Sequence, residues 1–216
     1  MDFEVLSSLS PEQREHILKR CSLQHYQRGD VILHEGDPGD QFHLIESGRV
    51  SLHVATHTGD SAMLSVLRAG QAFGEMALVG DRHRTATVIA LEPVTTRVMS
   101  RSLFEELRRS QPAVDRLLVE ILASRVDRLS RELTEALYLP VEVRLARRLL
   151  ALSGVYRTDD DIVIPLTQQE VSELVGATRP TINLELNSLA DAGAVKLERG
   201  RIKIVDLVAL RERAEG

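Results

Sequence analysis

Residues 73–78 read FGEMAL, and after a short polar loop residues 84–86 read RTA. Gly74 leaves room for a ligand to approach the backbone, and a short helical turn after it would present free amide groups to an anion. Arg84 can pair with a phosphate through its planar guanidinium, whereas Glu75 fits beside an anion only if it accepts hydrogen bonds from a neutral group such as a ribose hydroxyl. A glycine-glutamate pair or an arginine-threonine pair is common alone, but together they predict a phosphate-binding cassette.

The sequence around this cassette has the two-residue period of β-strands from about residue 24 to residue 100, most clearly at 50–54 (VSLHV). Glycines separate the short apolar runs, as they do in sandwiches and barrels. At 37–40 the order Asp-Pro-Gly-Asp predicts a type II turn with Gly39 in its third position, where φ is positive. Residues 10–13 (SPEQ) have the pattern of a capping box that opens a helix. The first half of the chain is therefore predicted to be a β domain preceded by a short helix.

A long helix is predicted after Pro112, with apolar residues at spacings of three and four, which is the seam of a two-stranded coiled coil. The members of this seam are Val119, Leu122, Val126, Leu129, Leu133 and Ala136. The other interpretation is that the seam packs on the chain's own β domain, but a second apolar set is available for that contact. The members of the second set are Val114, Leu117, Leu118 and Ile121. Leu139-Pro140 interrupts the helix, because proline lacks the amide donor, and the pattern favours a homodimer helix followed by a hinge.

The last third of the chain carries two short predicted helices joined by a glycine, which is the signature of a helix-turn-helix. Thr167 and Glu170 form a predicted capping box for the first helix, and Thr178 caps the second. Arg179 is predicted to read a base, because arginine to guanine is the commonest specific contact in the major groove. Alternation at 194–205 predicts a hairpin wing whose cations meet phosphates. The candidate DNA-binding residues are Gln168, Gln169, Thr178, Arg179, Thr181, Asn183, Arg199 and Arg201.

Composition narrows the class of protein further. The chain has 216 residues, 43% of them hydrophobic, and a formal net charge of -5 at pH 7, which argues against an all-over cationic coat. A single cysteine, Cys21, excludes an intramolecular disulfide, and the seven histidines show no tight ligand cluster, so no metal is expected. No apolar run approaches a membrane span, and no signal peptide is recognisable. A cytoplasmic protein is predicted, and without a nucleophile beside an evident base it is not expected to be an enzyme.

Further motifs stand in order before the cassette, at 29–32 (GDVI), 35–40 (EGDPGD) and 48–50 (GRV). With them the chain resembles the cyclic-nucleotide-binding domain family, and nearly its whole length is similar to the cyclic-AMP receptor protein branch of the CRP/FNR superfamily. The resemblance implies an α+β protein with a cyclic-nucleotide-binding β-roll at 1–112, a long dimerisation helix at 113–138 and a winged helix-turn-helix DNA-binding domain at 139–216. It implies a homodimeric transcriptional regulator whose partners are cyclic AMP, a palindromic double-stranded DNA operator and RNA polymerase.

The resemblance also assigns roles within the cassette. By this resemblance Arg84 holds the cyclic phosphate, Glu75 takes the ribose 2'-hydroxyl, and Thr85 contacts phosphate or base. Nearby backbone amides assist, and Ser130 reaches the base from the partner chain. The implied ligand-binding residues are Gly74, Glu75, Met76, Ala77, Arg84, Thr85 and Ser130.

Two departures from the family pattern leave alternatives open. Cyclic-AMP-responsive relatives have a threonine-serine pair in the dimer helix that contacts adenine, whereas this chain has Leu129 and Ser130. Cyclic GMP is therefore an alternative effector, with Thr85 accepting a guanine donor. In the recognition helix, relatives often have arginine, glutamate and a second arginine, whereas Pro180 and Leu184 stand at the latter two positions. This difference predicts a different operator sequence.

Two further alternatives concern the function as a whole. The first keeps the fold and changes the input, so that the chain acts without a nucleotide or senses redox state through Cys21. A lone thiol in a helix is, however, more often a small buried hydrophobe. The second is a different class, a nucleotide-binding module that works through protein partners and does not bind DNA, and the sparse charge of the recognition helix motivates it. Salt-dependent binding to random duplex DNA distinguishes a DNA-binding regulator from such a protein-interaction module.

Overall fold

The computed structural model describes residues 3–7, 9–57, 59–79, 83–158 and 161–216. The chain forms two compact units, Met1–Ala55 with Leu64–Arg128, and Thr56–Met63 with Leu129–Gly216. Both units contain helices and strands, so the predicted α+β class is confirmed. The three-part division proposed from the sequence stays a prediction.

Two four-stranded sheets form the centre of the first unit. Their strands are β1 (Ser22–Tyr26), β2 (Val31–Leu33), β3 (Gln41–Ser47), β4 (Arg49–Ala55), β5 (Ser61–Arg68), β6 (Ala72–Phe73), β7 (Thr87–Ala90) and β8 (Val94–Ser100). One sheet has the order β1-β8-β3-β6 and the other β2-β7-β4-β5. Side chains from both sheets, among them Ile45, Val50 and Phe73, meet in an inner core. The two-residue period of the sequence therefore marks the residues that point between the sheets.

Helices pack against the first of these sheets. They are a 3-10 turn (Glu4–Leu6), α1 (Pro11–Arg20), α2 (Met76–Val79), α3 (Arg101–Ser110) and α4 (Pro112–Tyr138). A second core forms between these helices and the sheet, where Ile17 and Leu107 meet Phe42 and Met99. The predicted capping box of α1 is confirmed, because the Ser10 side chain accepts from the amide of Gln13 and the Gln13 side chain accepts from that of Ser10.

The type II turn predicted at 37–40 is wrong. The turn lies earlier, where the amide of Asp37 donates to the carbonyl oxygen of His34 at 3.3 Å and Gly36 has a φ of 84°. Gly39 does not have a positive φ. A Cβ at position 39 would overlap the Cβ of Ala77 and would lie 2.8 Å from Nε of Arg84. Glycine is needed at 39 for close packing beside the cassette and not for its backbone freedom.

The second unit contains the predicted helix-turn-helix. The long helix ends at Tyr138, as the Leu139-Pro140 pair predicts, and α5 (Val141–Tyr156), α6 (Gln168–Val175) and α7 (Arg179–Asp191) follow. Both predicted N-caps are confirmed: Thr167 forms a capping box with Glu170, and the Thr178 side chain accepts from the amide of Thr181. The helix-turn-helix is therefore α6, the turn at 176–178, and α7.

The wing is larger than the predicted hairpin. Its two expected strands, β10 (Val195–Glu198) and β11 (Arg201–Ile204), are joined by β9 (Ile162–Ile164) in the order β10-β11-β9. A last helix, α8 (Leu207–Glu215), begins after Asp206, whose carboxylate accepts from the amides of Val208 and Ala209. The sequence did not predict β9, because three residues are too few for a periodic signal and its pairing partner is distant along the chain.

Candidate functional site

Arg84 is the centre of the candidate site in the first unit. Its side chain is only 6% exposed. Its Nη1 donates to the carbonyl oxygens of Gln41, at 2.8 Å, and Gly74, at 3.1 Å. Among the described residues, Nε and Nη2 donate to no protein acceptor. Because burial lowers the pKa of Arg84, an anion bound at these two nitrogens would relieve a desolvated cation.

The sequence predicts that Gly74 leaves room for a ligand, whereas in the structure it leaves room for the side chain of Arg84. Its φ is +88°, and a Cβ there would lie 2.8 Å from Nη1 of Arg84 and 3.1 Å from the carbonyl oxygen of Gln41. The space beside Gly74 is therefore taken by the guanidinium group of the same cassette. The glycine therefore makes room for the arginine, and the ligand contact predicted for Gly74 stays a prediction.

Glu75 supplies buried acceptors next to this cation. The residue is 1% exposed, and neither carboxylate oxygen accepts a hydrogen bond among the described residues. Oε1 contacts Nη1 of Arg125 on α4 as an ion pair. Burial raises the pKa of Glu75, and the charge of Arg125 opposes that rise. Oε2 is therefore a buried acceptor without a hydrogen bond among the described residues, which fits a ligand that brings a hydroxyl group, as a ribose does.

The arginines of α4 were missed in the sequence. Arg125 pairs with Glu75, and its Nη2 lies 3.5 Å from the carbonyl oxygen of Ala72. Nε of Arg128 is buried without a hydrogen bond among the described residues, and its charge also acts on Glu75. Both arginines lie between seam positions, one helical turn apart. This spacing could be read from the sequence, but no pattern of neighbouring residues connects Arg125 and Arg128 with Glu75, which is distant in the sequence.

The remaining residues of the predicted cassette occupy different environments. Ala77 is buried in α2, whereas Met76 and Thr85 are exposed. Arg101 holds α2 in place, since its guanidinium donates to the carbonyl oxygens of Ala77 and Leu78, and to that of Gly39 at 2.9 Å. The ligand contacts assigned to these cassette residues stay predictions.

Ser130 lies on α4 within the second unit, where it is exposed and its carbonyl oxygen accepts from Oγ1 of Thr134 at 2.9 Å. Its predicted contact with the base of a ligand on the partner chain stays a prediction.

A buried histidine stands beside the cassette. The ring of His43 stacks on Phe73 with centroids 4.8 Å apart and planes 9° apart. Its Nδ1 lies 3.2 Å from Oγ1 of Thr96, and its Nε2 is buried without a hydrogen bond among the described residues. Burial and the nearby charge of Arg84 lower the pKa of His43 to about 4. The histidine is therefore neutral at physiological pH.

The stability of the protein is expected to depend on His43 in mildly acid solution. Since the unfolded chain binds the proton near pH 6.5 and the folded chain only near pH 4, the free energy of unfolding falls as pH falls between these values. The loss is at most about 3.5 kcal/mol, at about 1.4 kcal/mol per pH unit. Urea unfolding of wild type and His43→Phe across this range checks it. Equal pH dependence of the two proteins would contradict the assignment.

The two apolar sets of α4 have different environments. Val114, Leu118 and Ile121 pack in the core of the first unit, as predicted, and the side chain of Leu117 lies outside the described residues. A second group of apolar residues on α4 is 51% to 66% exposed, and we call it the α4 stripe. Its members are Val119, Val126, Leu129, Leu133 and Leu137. A stripe of this kind on a single chain is available to a partner helix.

Five of the eight predicted DNA-binding residues line one cleft in the second unit. Arg179 is the first residue of α7 and is exposed. A cleft of about 430 Å³ between the helix-turn-helix and the wing is lined by Gln168, Gln169, Arg179, Arg199 and Arg201, among others. Thr178 and Thr181 stand at the beginning of α7, where their hydroxyls are 2.9 Å apart. Asn183 accepts from Nε2 of Gln168 at 3.1 Å, and Gln169 donates to Glu173 at 3.0 Å.

The wing cations differ in how they are paired. Nε of Arg201 lies 2.5 Å from a carboxylate oxygen of Glu198, and Lys203 lies 2.6 Å from Asp161. Arg199 is exposed at the tip of the hairpin and has no carboxylate partner among the described residues. Arg199 is therefore the wing cation most readily available to a phosphate, and a DNA contact by Arg201 must compete with Glu198.

Cys21 has the environment of a structural thiol. It is buried, its Sγ donates to the carbonyl oxygen of Ile17 at 3.4 Å, and burial raises its pKa to about 11. In the part of the chain that the structure describes, no three histidine, cysteine or acidic residues are grouped to hold a metal ion. Within the same part, no helix has the length and apolar character to cross a membrane.

Cys21 is expected to react slowly with a disulfide reagent in the folded protein. The thiolate is the reactive form, and at pH 8 a thiol with a pKa of about 11 is thiolate in only about one molecule in a thousand. We expect the reaction to be at least about a hundredfold faster in denaturant. Because the chain has one cysteine, the reagent reports on it alone. Equal rates in the two conditions would instead favour a redox sensor.

Comparison with known proteins places these features in context. Residues 23–111 match the family model of the cyclic nucleotide-binding domain, and residues 143–213 match that of the Crp-like helix-turn-helix domain. The transcriptional regulator SdrP of Thermus thermophilus is 30% identical over 199 residues, which are 88% of this chain and 93% of SdrP. The CRP-like cAMP-activated global transcriptional regulator of Mycobacterium tuberculosis is 27% identical over 97% of this chain and 96% of its own.

Solved structures agree with the sequence comparisons. The crystal structure of a CRP/FNR-family transcriptional regulator from Thermus thermophilus matches with a TM-score of 0.77 and 26% identity. The match covers 90% of this chain and 99% of that one.

Proposed function

The chain belongs to the CRP/FNR family of transcriptional regulators, and from this premise we propose that it is a homodimer whose binding to an operator is controlled by cyclic AMP. Its two family domains make it a cyclic-nucleotide-binding and DNA-binding regulator. Members of this family are regulators and not enzymes, which confirms the prediction of a non-enzymatic protein. The family resemblance found in the sequence is confirmed as well.

The observation that carries the proposal is the pairing of unused donors with unused acceptors in the first unit. Among the described residues, Arg84 keeps two guanidinium nitrogens without a protein acceptor, and Glu75 keeps a buried oxygen, Oε2, without a hydrogen bond, while its Oε1 pairs with Arg125. A cyclic nucleotide carries both complements, an anionic phosphate for the arginine and a ribose hydroxyl for the glutamate. Its binding would satisfy two desolvated groups at once, which supports the residue roles assigned to them.

Cyclic AMP is the preferred effector because the Mycobacterium tuberculosis relative, which matches over nearly its full length, is a cAMP-activated regulator. Leu129 cannot hydrogen-bond to a base, so recognition of adenine would fall on Ser130 from the partner chain or on Thr85. Cyclic GMP is the second candidate, since the exposed hydroxyl of Thr85 can accept from a guanine donor.

Two exposed surfaces support the proposed dimer and DNA complex. The α4 stripe would be covered by the same stripe of a second copy, as in a two-stranded coiled coil. Two copies of α7 would then meet successive major grooves, with half-sites roughly 34 Å apart in a palindromic operator. RNA polymerase is the further partner that we propose, and the cytoplasm is the proposed location.

Calorimetric titration of the nucleotide-free protein tests the effector directly. We expect micromolar binding of cyclic AMP, and about tenfold weaker binding of its 2'-deoxy analogue, because Glu75 loses its hydrogen-bond donor. Cyclic GMP is titrated in parallel. Binding of neither nucleotide by a folded dimer would contradict the pocket assignment.

Gel shifts test the output with operator duplex and random duplex, with and without nucleotide, over a range of salt concentrations. We expect the nucleotide to strengthen operator binding and salt to weaken all DNA binding. DNA binding that ignores both nucleotides would identify a regulator with another input. The absence of salt-dependent binding would identify a module that acts through protein partners.

A further inference from the structure

The outer face of α7 presents an apolar side chain directly opposite its buried face. Ile182, Leu186 and Leu189 are buried, whereas Leu184 is 68% exposed and, with 3.6 residues per turn, points away from them. A single exposed leucine is ordinary on a protein surface. Its position is what matters, because the outer face of the second helix of a helix-turn-helix is the face that enters the major groove.

Amide side chains beside Leu184 are held in a defined orientation. Nδ2 of Asn187 donates to the backbone carbonyl oxygen of Asn183 at 2.8 Å, which identifies the NH₂ group of Asn187 because a carbonyl can only accept. The same Nδ2 donates to Oδ1 of Asn183 at 3.1 Å, and Nε2 of Gln168 donates to that oxygen at 3.1 Å. Oδ1 of Asn183 is therefore engaged by the protein, and its Nδ2 is left as a donor on the exposed face.

We propose that Leu184 contacts the C5 methyl group of a thymine in each operator half-site and thereby determines the operator sequence together with Arg179. The inference rests on the proposed function, since it requires that α7 bind DNA. Thymine is the one base that presents a methyl group in the major groove. Its O4 is also an acceptor, which suits the outward donor of Asn183. A leucine offers no hydrogen bond, so this methyl group is the base-edge feature that it can recognise.

The position of the thymine follows from the helix. Leu184 is five residues after Arg179, which is about 7.5 Å along the helix axis. At about 3.4 Å per base pair, this distance corresponds to roughly two base pairs. With Arg179 on a guanine, the thymine is expected about two base pairs from it, and the pair of contacts is repeated in the inverted half-site.

The test begins with selection of a random-sequence duplex library on the full-length wild-type chain, with cyclic AMP, with cyclic GMP and without nucleotide. Each thymine common to the selected half-sites is then replaced by deoxyuridine, which removes only the C5 methyl group. Fluorescence anisotropy gives the affinity of wild type and of Leu184→Ala for each duplex. We expect one thymine per half-site where the replacement weakens wild-type binding about fourfold, or about fifteenfold with both half-sites changed, and has little effect on Leu184→Ala.

Val208→Ala is the matched control, since Val208 is 62% exposed but lies on α8 of the same unit. This variant should respond to deoxyuridine as wild type does. If operator duplexes are selected but wild type and Leu184→Ala lose the same affinity at every thymine, the thymine contact is wrong while the proposed function stands. If no duplex is selected under any condition, both are wrong.

Discussion

Replacement of Arg84 by alanine is expected to weaken cyclic-nucleotide binding by at least tenfold, measured as the dissociation constant in calorimetric titrations. Each charge-assisted hydrogen bond is worth about 1.5 to 3 kcal/mol, and two guanidinium nitrogens are available to a phosphate, so the loss can exceed a hundredfold. The cation also offsets part of the burial of Glu75, whose pKa would rise further without it. Its removal therefore weakens the binding of both the phosphate and the ribose.

Two companion variants separate this effect from a folding defect. Arg84 donates to the carbonyl oxygens of Gln41 and Gly74, so Arg84→Ala can also loosen the cassette, and thermal unfolding without nucleotide measures that contribution. Arg84→Lys keeps the charge without the planar fork and should have intermediate affinity. Arg20→Ala removes a guanidinium that pairs with Glu106 on the surface, and it should bind nucleotide as wild type does. Wild-type affinity in a folded Arg84→Ala protein would refute the pocket.

Replacement of Leu133 by glutamate is expected to convert the protein from dimer to monomer at micromolar concentration. The residue is 61% exposed on the single chain, and burial of one leucine is worth about 1.5 to 3 kcal/mol. Because a two-fold axis repeats the change on both chains, the dimer dissociation constant should rise about a hundredfold to ten-thousandfold. Sedimentation velocity over a range of concentrations measures this shift, and operator affinity should fall with it.

The control for this variant is Ser124→Glu, which introduces the same charge at an exposed position on the opposite side of α4. It should remain a dimer and bind the operator normally. A monomeric wild-type protein, or a Leu133→Glu protein that remains fully dimeric, would contradict a dimer built on the α4 stripe.

The elements of the fold were predicted best where the deciding residues are neighbours in the sequence. Ser10 caps α1, Thr167 caps α6 and Leu139-Pro140 ends α4, each as expected from contacts within one turn of the chain. Short β9 and the terminal helix α8 were missed. For β9 the cause is physical, because its three residues become a strand only through pairing with β11.

Individual residues of the candidate site were predicted from the sequence, but the contacts between them were not. Gly74, Glu75 and Arg84 were recognised because glycine, carboxylate and guanidinium have known uses beside a phosphate ester. Arg125 was not, because its contact with Glu75 depends on how α4 packs against the β domain. The positive φ assigned to Gly39 was wrong because the turn forms earlier, with Gly36 at positive φ, whereas Gly39 is required by the closeness of Ala77 from another segment.

The sequence by itself determined the order of the parts: a β domain, a long helix broken at Pro140, and a helix-turn-helix with a wing. It could do so because caps, turns and hydrophobic periods are properties of adjacent residues. The tertiary structure alone decided that Arg84 is held by carbonyl groups of Gln41 and Gly74, that Glu75 is buried against Arg125, and that Asn183 has its oxygen engaged by Gln168. These contacts join segments distant in sequence, so sheet register and helix packing determine their geometry.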